Sequence, residues 1–198
     1  MKTYNRRKGF TLMEVLVVIT VLSIIGVLML VIFTRTLRGS NKSQAVLAIK
    51  QNGQAVLETM DKTIRNAESL VCISSDPDNT IVVRGGTGNY TRYRFVPDIS
   101  GITNGSILQD NPSRGETETE QQFSERVCDP TDSMIQAQVL TDTQTATGVS
   151  VVSGSFKQDT GPKDIVTVTF VLKPAVRAPP AVVGDIDPIT FQTTILLR

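Results

Sequence analysis

The sequence predicts an α+β fold, with a long N-terminal helix packed on a mainly antiparallel β-sheet head. Three observations predict it. From Phe10 to Phe33 the chain is apolar except for Thr11, Glu14, Thr20 and Ser23. From there to residue 70, apolar side chains recur close to every 3.6 residues, as on the buried face of one helix. Beyond residue 70 the period falls to two and turn residues punctuate it, as in half-buried strands.

The chain opens on Lys2, Arg6, Arg7 and Lys8. Positive residues beside an apolar span hold that end in the cytoplasm, so the C-terminal part is expected to face out. The bias is incomplete, because Arg35, Arg38 and Lys42 follow the span. As a helix the apolar run is roughly 36 Å long, enough to cross a hydrocarbon core with some tilt. A secretory signal would have a shorter apolar core followed by a small-residue cleavage site. Glu14 is the costly residue. An ionisable group in a bilayer span costs about 2.5–3.5 kcal/mol at the helix centre, less near its end, and usually marks function. Thr20, Ser23 and Gly26 form one small-residue stripe that lets helices approach closely; ordinary span composition explains it equally well.

The helix is expected to continue past the membrane. Val46, Ile49, Val56, Leu57, Met60, Ile64, Ala67 and Leu70 make its apolar stripe, with Gln44, Lys50, Gln51, Asp61 and Arg65 on the other faces. Gly39-Ser40-Asn41 is a weak point, expected to kink the helix and not to break it. Strands are expected at residues 70–74, 80–84, 89–96, 106–109, 135–141, 148–157, 164–173 and 189–197. Hairpin turns are expected at Gly85-Gly86-Thr87-Gly88 and at Asp159-Thr160-Gly161-Pro162. Within 89–96, Thr91, Tyr93 and Phe95 share one face and Tyr90, Arg92 and Arg94 the other. In the last strand Phe191, Thr193, Ile195 and Leu197 are expected to point inward. Residues 110–126, with Glu116, Glu118, Glu120 and Glu125, read as an exposed, mobile loop. Residues 174–188 hold four prolines and read as an irregular surface connection.

Composition excludes several classes. The 198 residues carry a formal charge of +1, and without the first nine residues sixteen basic side chains face nineteen acidic ones, a formal −3. That is too mild for bulk nucleic-acid binding. The chain has no histidine, hence no imidazole for a nucleophilic triad, a metal centre or acid–base work, and no Gly-x-x-x-x-Gly-Lys phosphate cradle. No enzymatic activity, cofactor or metal is expected. Asp76, Asp78 and Asn79, and Asp129 with Asp132, are oxygen-rich, but neither run has an EF-hand spacing. Asp185 and Asp187 read as turn residues. Cys72 and Cys128 would form one bridge in an oxidising compartment, with two free buried thiols as the alternative. Arg84, Tyr90, Arg92, Tyr93 and Arg94 are a basic–aromatic cluster. Arg92 and Arg94 are thereby candidate ligand contacts for single-stranded nucleic acid, although the solvated face of a hairpin, with Tyr93 in the core, is the preferred reading.

Lys8-Gly9-Phe10-Thr11-Leu12-Met13-Glu14, behind a basic leader and ahead of about twenty apolar residues, resembles the cleavage signal of type IV prepilins and type II secretion pseudopilins. The resemblance covers about the first seventy residues; beyond them there is a general likeness to minor pilins with β-rich heads. It implies a leader at 1–9, a transmembrane and filament-core helix at 10–33, its amphipathic continuation at 34–70 and an extracytoplasmic head at 71–198. It further implies cleavage between Gly9 and Phe10 and methylation of the Phe10 amine by a separate prepilin peptidase and methyltransferase. Glu14 is then expected to pair with the Phe10 amine of a neighbouring subunit. The subunit would wait in lipid as a single-pass inner-membrane protein, N-terminus cytoplasmic, and pass through an inner-membrane assembly platform into a surface filament of pilin or pseudopilin subunits. Many major pilins carry a proline in the span, and this chain has none there, which favours a minor subunit. A minor pseudopilin of a secretion system and a competence pilin gripping DNA are the alternatives.

Overall fold

The computed structural model describes residues 9–75, 77–99, 101–160, 164–179 and 186–197. The leader up to residue 8, Asp76, the Gly161-Pro162 corner and Asp185 lie outside the described residues. The chain divides into two compact units, Met1–Asn41 and Lys42–Arg198.

One helix, α1 (Leu12–Arg65), crosses that division, and the Gly39-Ser40-Asn41 weak point does not interrupt it. In the first unit every described residue of α1 is exposed. In the second, Ile49, Gly53, Val56, Met60 and Ile64 are buried, spaced three or four apart along one face. The helix ends at Arg65, five residues short of the sequence expectation, and the chain turns at once into β1 (Ala67–Ile73). Ala67 and Leu70 continue the helical spacing by coincidence. Cross-strand pairing of Ala67 with Gly85 and of Leu70 with Val83 decides their conformation instead.

The head holds two antiparallel sheets where one was expected. The first is ordered β1-β2-β3-β4-β5, with β2 at Thr80–Gly85, β3 at Tyr90–Val96, β4 at Ser106–Asp110 and β5 at Gln138–Val139. The second is β6-β7-β8, at Val149–Thr160, Asp164–Pro174 and Ile189–Leu196. The β2–β3 turn is the expected glycine turn: Gly88 has φ +79° and its N–H donates to the Gly85 carbonyl at 2.9 Å. Strand β5 is far shorter than the expected 135–141. Gln136 sits at φ +55° and Ile135 is 74% exposed, so the chain bends before it pairs.

One apolar core joins α1 to both sheets. Ile49, Val56, Met60 and Ile64 meet Ile81, Val83, Tyr93 and Phe95 of the first sheet and Phe156, Val168, Phe170 and Ile195 of the second. Phe95 stacks on Phe156 at 4.6 Å between centroids, and Phe170 on Phe191 at 5.3 Å. Small residues admit these rings: a Cβ on Gly53 would overlap the Phe191 ring, and one on Gly154 the Phe95 ring. The C-terminal strand is docked as expected, with Ile195 and Leu197 buried and the Leu197 N–H donating to the Asp164 carbonyl at 3.0 Å.

The acidic segment after β4 is a correction. Its second half is a helix, α2 (Glu120–Cys128), not a mobile loop. Thr119 and Gln122 form a reciprocal capping box, and Phe123 and Val127, four residues apart, are buried against Val82. Strand alternation places Val82 on the opposite face of its sheet from Ile81 and Val83, so α2 covers the face turned away from the main core.

Candidate functional site

At the N-terminal end, Thr11 caps α1. Its carbonyl accepts from the N–H groups of Glu14 and Val15 at 3.1 and 3.2 Å, and its hydroxyl from Glu14 N–H at 3.3 Å. The sequence Thr-x-x-Glu has the form of a capping box, yet the Glu14 carboxylate makes no hydrogen bond or ion pair among the described residues. A carboxylate in the first turn suits the positive end of the helix dipole and stays available to an outside partner.

Above it, Thr20 donates to the Val17 carbonyl and Ser23 to the Ile19 carbonyl, each at 2.8 Å. These hydroxyls are satisfied by their own helix, which is what a lipid environment demands. Nothing lies within 4 Å of a Cβ built on Gly26. Phe10, next to Gly9, is 81% exposed, and the apolar stretch of α1 has a mean hydropathy of 3.2 with none of it buried. Gly9, Phe10, Glu14, Thr20, Ser23 and Gly26 thus all lie, exposed, in the first unit.

The head shows the opposite arrangement around α2. Cys72 of β1 and Cys128 of α2 are bridged, with Cα atoms 6.2 Å apart. Arg92 and Arg94, read from sequence as a solvated face or as ligand contacts, are inside: their residues are 1% and 8% exposed. Arg92 holds Asp110 through Nε at 2.9 Å and Nη2 at 2.6 Å, and Asp132 through Nη1 at 2.6 Å. It also donates to the Val127 and Ser133 carbonyls at 3.3 and 3.4 Å. Arg94 donates to Thr80 Oγ1 and to the carbonyls of Asp132 and Asp129, at 3.1, 2.7 and 2.9 Å. Arg92 spends all five of its N–H donors and Arg94 three of its five inside the head, so neither presents the solvated guanidinium that the nucleic-acid reading of these residues needs.

Protonation follows the same geometry. Burial works against the Arg92 charge, but the bonds and field of Asp110 and Asp132 outweigh it and raise the pKa above the usual arginine value. Arg94 goes the other way, lowered by burial and then by the neighbouring Arg92 charge. Burial raises the Tyr93 phenol, whose hydroxyl meets Thr63 of α1 at 2.9 Å. Outside this buried set, the Arg126 bond and the Gly115 N–H hold Glu118 down at about 2.

Sequence reasoning named Arg92 and Arg94 and missed their partners, Asp110 and Asp132. The signal for α2 was present: Thr119-x-x-Gln122 followed by Phe123 and Val127 is a helix-start pattern hidden in an acidic stretch.

Two features define the class of protein: a membrane-length apolar helix whose first-turn carboxylate has no partner among the described residues, and its continuation, which packs on a disulfide-bridged β head. The family model described as the prokaryotic N-terminal methylation motif matches residues 4–32. No curated protein and no solved structure matches the chain. The motif and the architecture support the type IV pilin and pseudopilin family, and with it a structural subunit. They imply processing by a prepilin peptidase, assembly with other pilin-type subunits and anchoring in a membrane before assembly.

Proposed function

We propose that this chain is a minor subunit of a type IV pilus-like filament. The leader is removed between Gly9 and Phe10, the new Phe10 amine is methylated, and the exposed half of α1 exchanges lipid for the helices of sibling subunits at the cell surface. One observation carries the reading: the methylation motif at 4–32 covers the apolar stretch of α1, none of which is buried among the described residues. In water such a surface would cost about 25 cal/mol per Å² of apolar area, so it requires lipid or other helices.

Glu14 has a specific task in this reading. Its carboxylate is unpaired among the described residues, and cleavage creates a cation four residues earlier. Two opposite charges in a low-dielectric helix bundle attract strongly, whereas one alone is expensive. The pairing therefore sets the axial register of an incoming subunit. The Thr20, Ser23 and Gly26 stripe gives neighbouring helices a close approach. The chain performs no catalysis of its own; a separate prepilin peptidase both cleaves and methylates it.

Intact-mass measurement on protein extracted from membranes of the native host tests the reading. A mass starting at Phe10 with one added methyl group is expected. Retention of Met1 overturns it. Separately, Glu14→Ala is expected to be cleaved and membrane-held yet missing from sheared filaments. Normal incorporation of that variant would remove the pairing role while leaving the processing claim intact.

A further inference from the structure

We propose that a cleft on the head, beside the N-terminal end of α2, binds the carboxylate of a sugar acid, either free or at the end of a glycan. The cleft has a volume of about 800 Å³, within the range of small-molecule sites. Arg84 of β2 and Arg114 of the segment after β4 approach it from separate stretches of chain, with Asn89, Tyr90, Asn111 and Glu120 completing the wall.

The two cations share one anion. Arg84 Nη1 lies 3.8 Å from one Glu120 carboxylate oxygen and Arg114 Nη1 lies 3.5 Å from the other. Both separations exceed a hydrogen bond, and the Glu120 side chain is 67% exposed. Arg84 Nε has no hydrogen-bond partner among the described residues, and the Arg84 side chain is 43% exposed, so the internal Glu120 does not satisfy this guanidinium in full. The arrangement is two guanidinium groups spaced for one carboxylate and only loosely occupied by an internal one. A ligand carboxylate that displaces Glu120 gains short, charge-assisted bonds that Glu120 does not make.

The rest of the wall matches a sugar ring. The Asn111 side-chain oxygen already accepts from the Thr91 hydroxyl at 3.2 Å, which leaves its amide N–H groups for ligand hydroxyls. Tyr90 is held against Phe123, with ring centroids 4.5 Å apart, and offers a fixed aromatic surface to the C–H face of a sugar. A polyanion is disfavoured. Glu116, Glu118, Glu120 and Glu125 crowd the same stretch of chain and would repel a run of phosphates, whereas a single carboxylate has only Glu120 to displace from the two cations.

This site is independent of filament assembly, and its test uses the full chain in detergent micelles. Glucuronic acid, N-acetylneuraminic acid, neutral glucose and an oligothymidylate are titrated by ligand-observed NMR. At least one sugar acid is expected to bind saturably, roughly tenfold or more tighter than glucose. Arg114→Ala, at an exposed position, is expected to lower that affinity at least about tenfold. Glu120→Gln, which removes the internal competitor, is expected to raise it several-fold. The proposal is overturned if neither acid binds saturably, if glucose binds as well, or if Glu120→Gln leaves the affinity unchanged. Tighter, steeply salt-dependent binding of the oligothymidylate would also overturn it, in favour of a nucleic-acid surface.

Discussion

Gly26 and Gly53 lie on the same helix and answer to different neighbours. A Cβ at Gly26 would meet nothing within 4 Å, while one at Gly53 would run into the Phe191 ring. The contrast extends to the two stretches of α1 around them. Residues 12–33 present an apolar surface with no buried member, whereas beyond Lys42 the helix is built into a core shared with both sheets. The first stretch is left uncovered by its own unit and the second is covered by its own unit. Polar groups divide the same way. Thr20 and Ser23 satisfy themselves on their own backbone, while Arg92 and Arg94 are satisfied by groups brought from distant parts of the head.

The largest effect should come from breaking the buried ion pair. Asp110→Ala would leave Arg92, 1% exposed, with one of its two carboxylates gone, and should cost about 3–5 kcal/mol in denaturant unfolding of the head. Arg92→Met combined with Asp110→Leu should cost less than that single change, because the fully buried Arg92 charge goes too and the part-exposed Asp132 keeps Arg126 at 3.9 Å. A single variant indistinguishable from wild type would mean that the clasp does not hold the head.

Removing the bridge should come next. Cys72→Ser with Cys128→Ser opens a loop spanning 56 positions and should lose about 4 kcal/mol in the chain-entropy model, read as a lower midpoint under non-reducing conditions. The same double change should leave membrane extraction and N-terminal processing untouched, which separates the head from the span.

The two glycines test the contrast directly. Gly53→Ala should cost about 1–3 kcal/mol through overpacking against Phe191. Gly26→Ala should cost the head nothing, since alanine is the better helix former and meets no neighbour there. Equal losses at both sites would erase the distinction between the two stretches.

The smallest effect concerns Glu118. Its carboxyl is held at about 2, below its ordinary 4.5. A depressed folded-state value means that the stabilisation is fully present above the ordinary value and is lost as pH falls through about 2. Glu118→Gln should therefore remove a small, solvent-screened stabilisation at neutral pH and flatten the acid limb of head stability between about pH 4.5 and about pH 2. An unchanged acid limb would mean that the Arg126 contact does not outlast solvent screening.

The apolar helical stretch up to residue 33 and the alternation of the strands were legible because each depends on neighbours in sequence. The Val166, Val168, Phe170 and Leu172 pattern of β7 is buried as the period requires. Arg92 and Arg94 were misplaced because alternation says only that they lie opposite Tyr93, and a charged face is normally a wet one. What reverses this is α2, whose Phe123 and Val127 dry that face and whose following residues deliver Asp132. The helix end failed for a related reason: the 3.6-residue spacing through Ala67 and Leu70 was real, but pairing with β2 outweighed it.

By itself the sequence determined the membrane-competent helix, its methylation motif and the exposed carboxylate at its head, because these rest on composition and on spacings of a few residues. Tertiary structure alone decided that two arginines are internal fasteners, that an acidic stretch becomes a lid over the first sheet, and that Arg84 and Arg114 converge on one carboxylate. Each of these joins residues far apart in the chain. Whether a charge ends in water or in a core depends on what covers it, which no local pattern specifies.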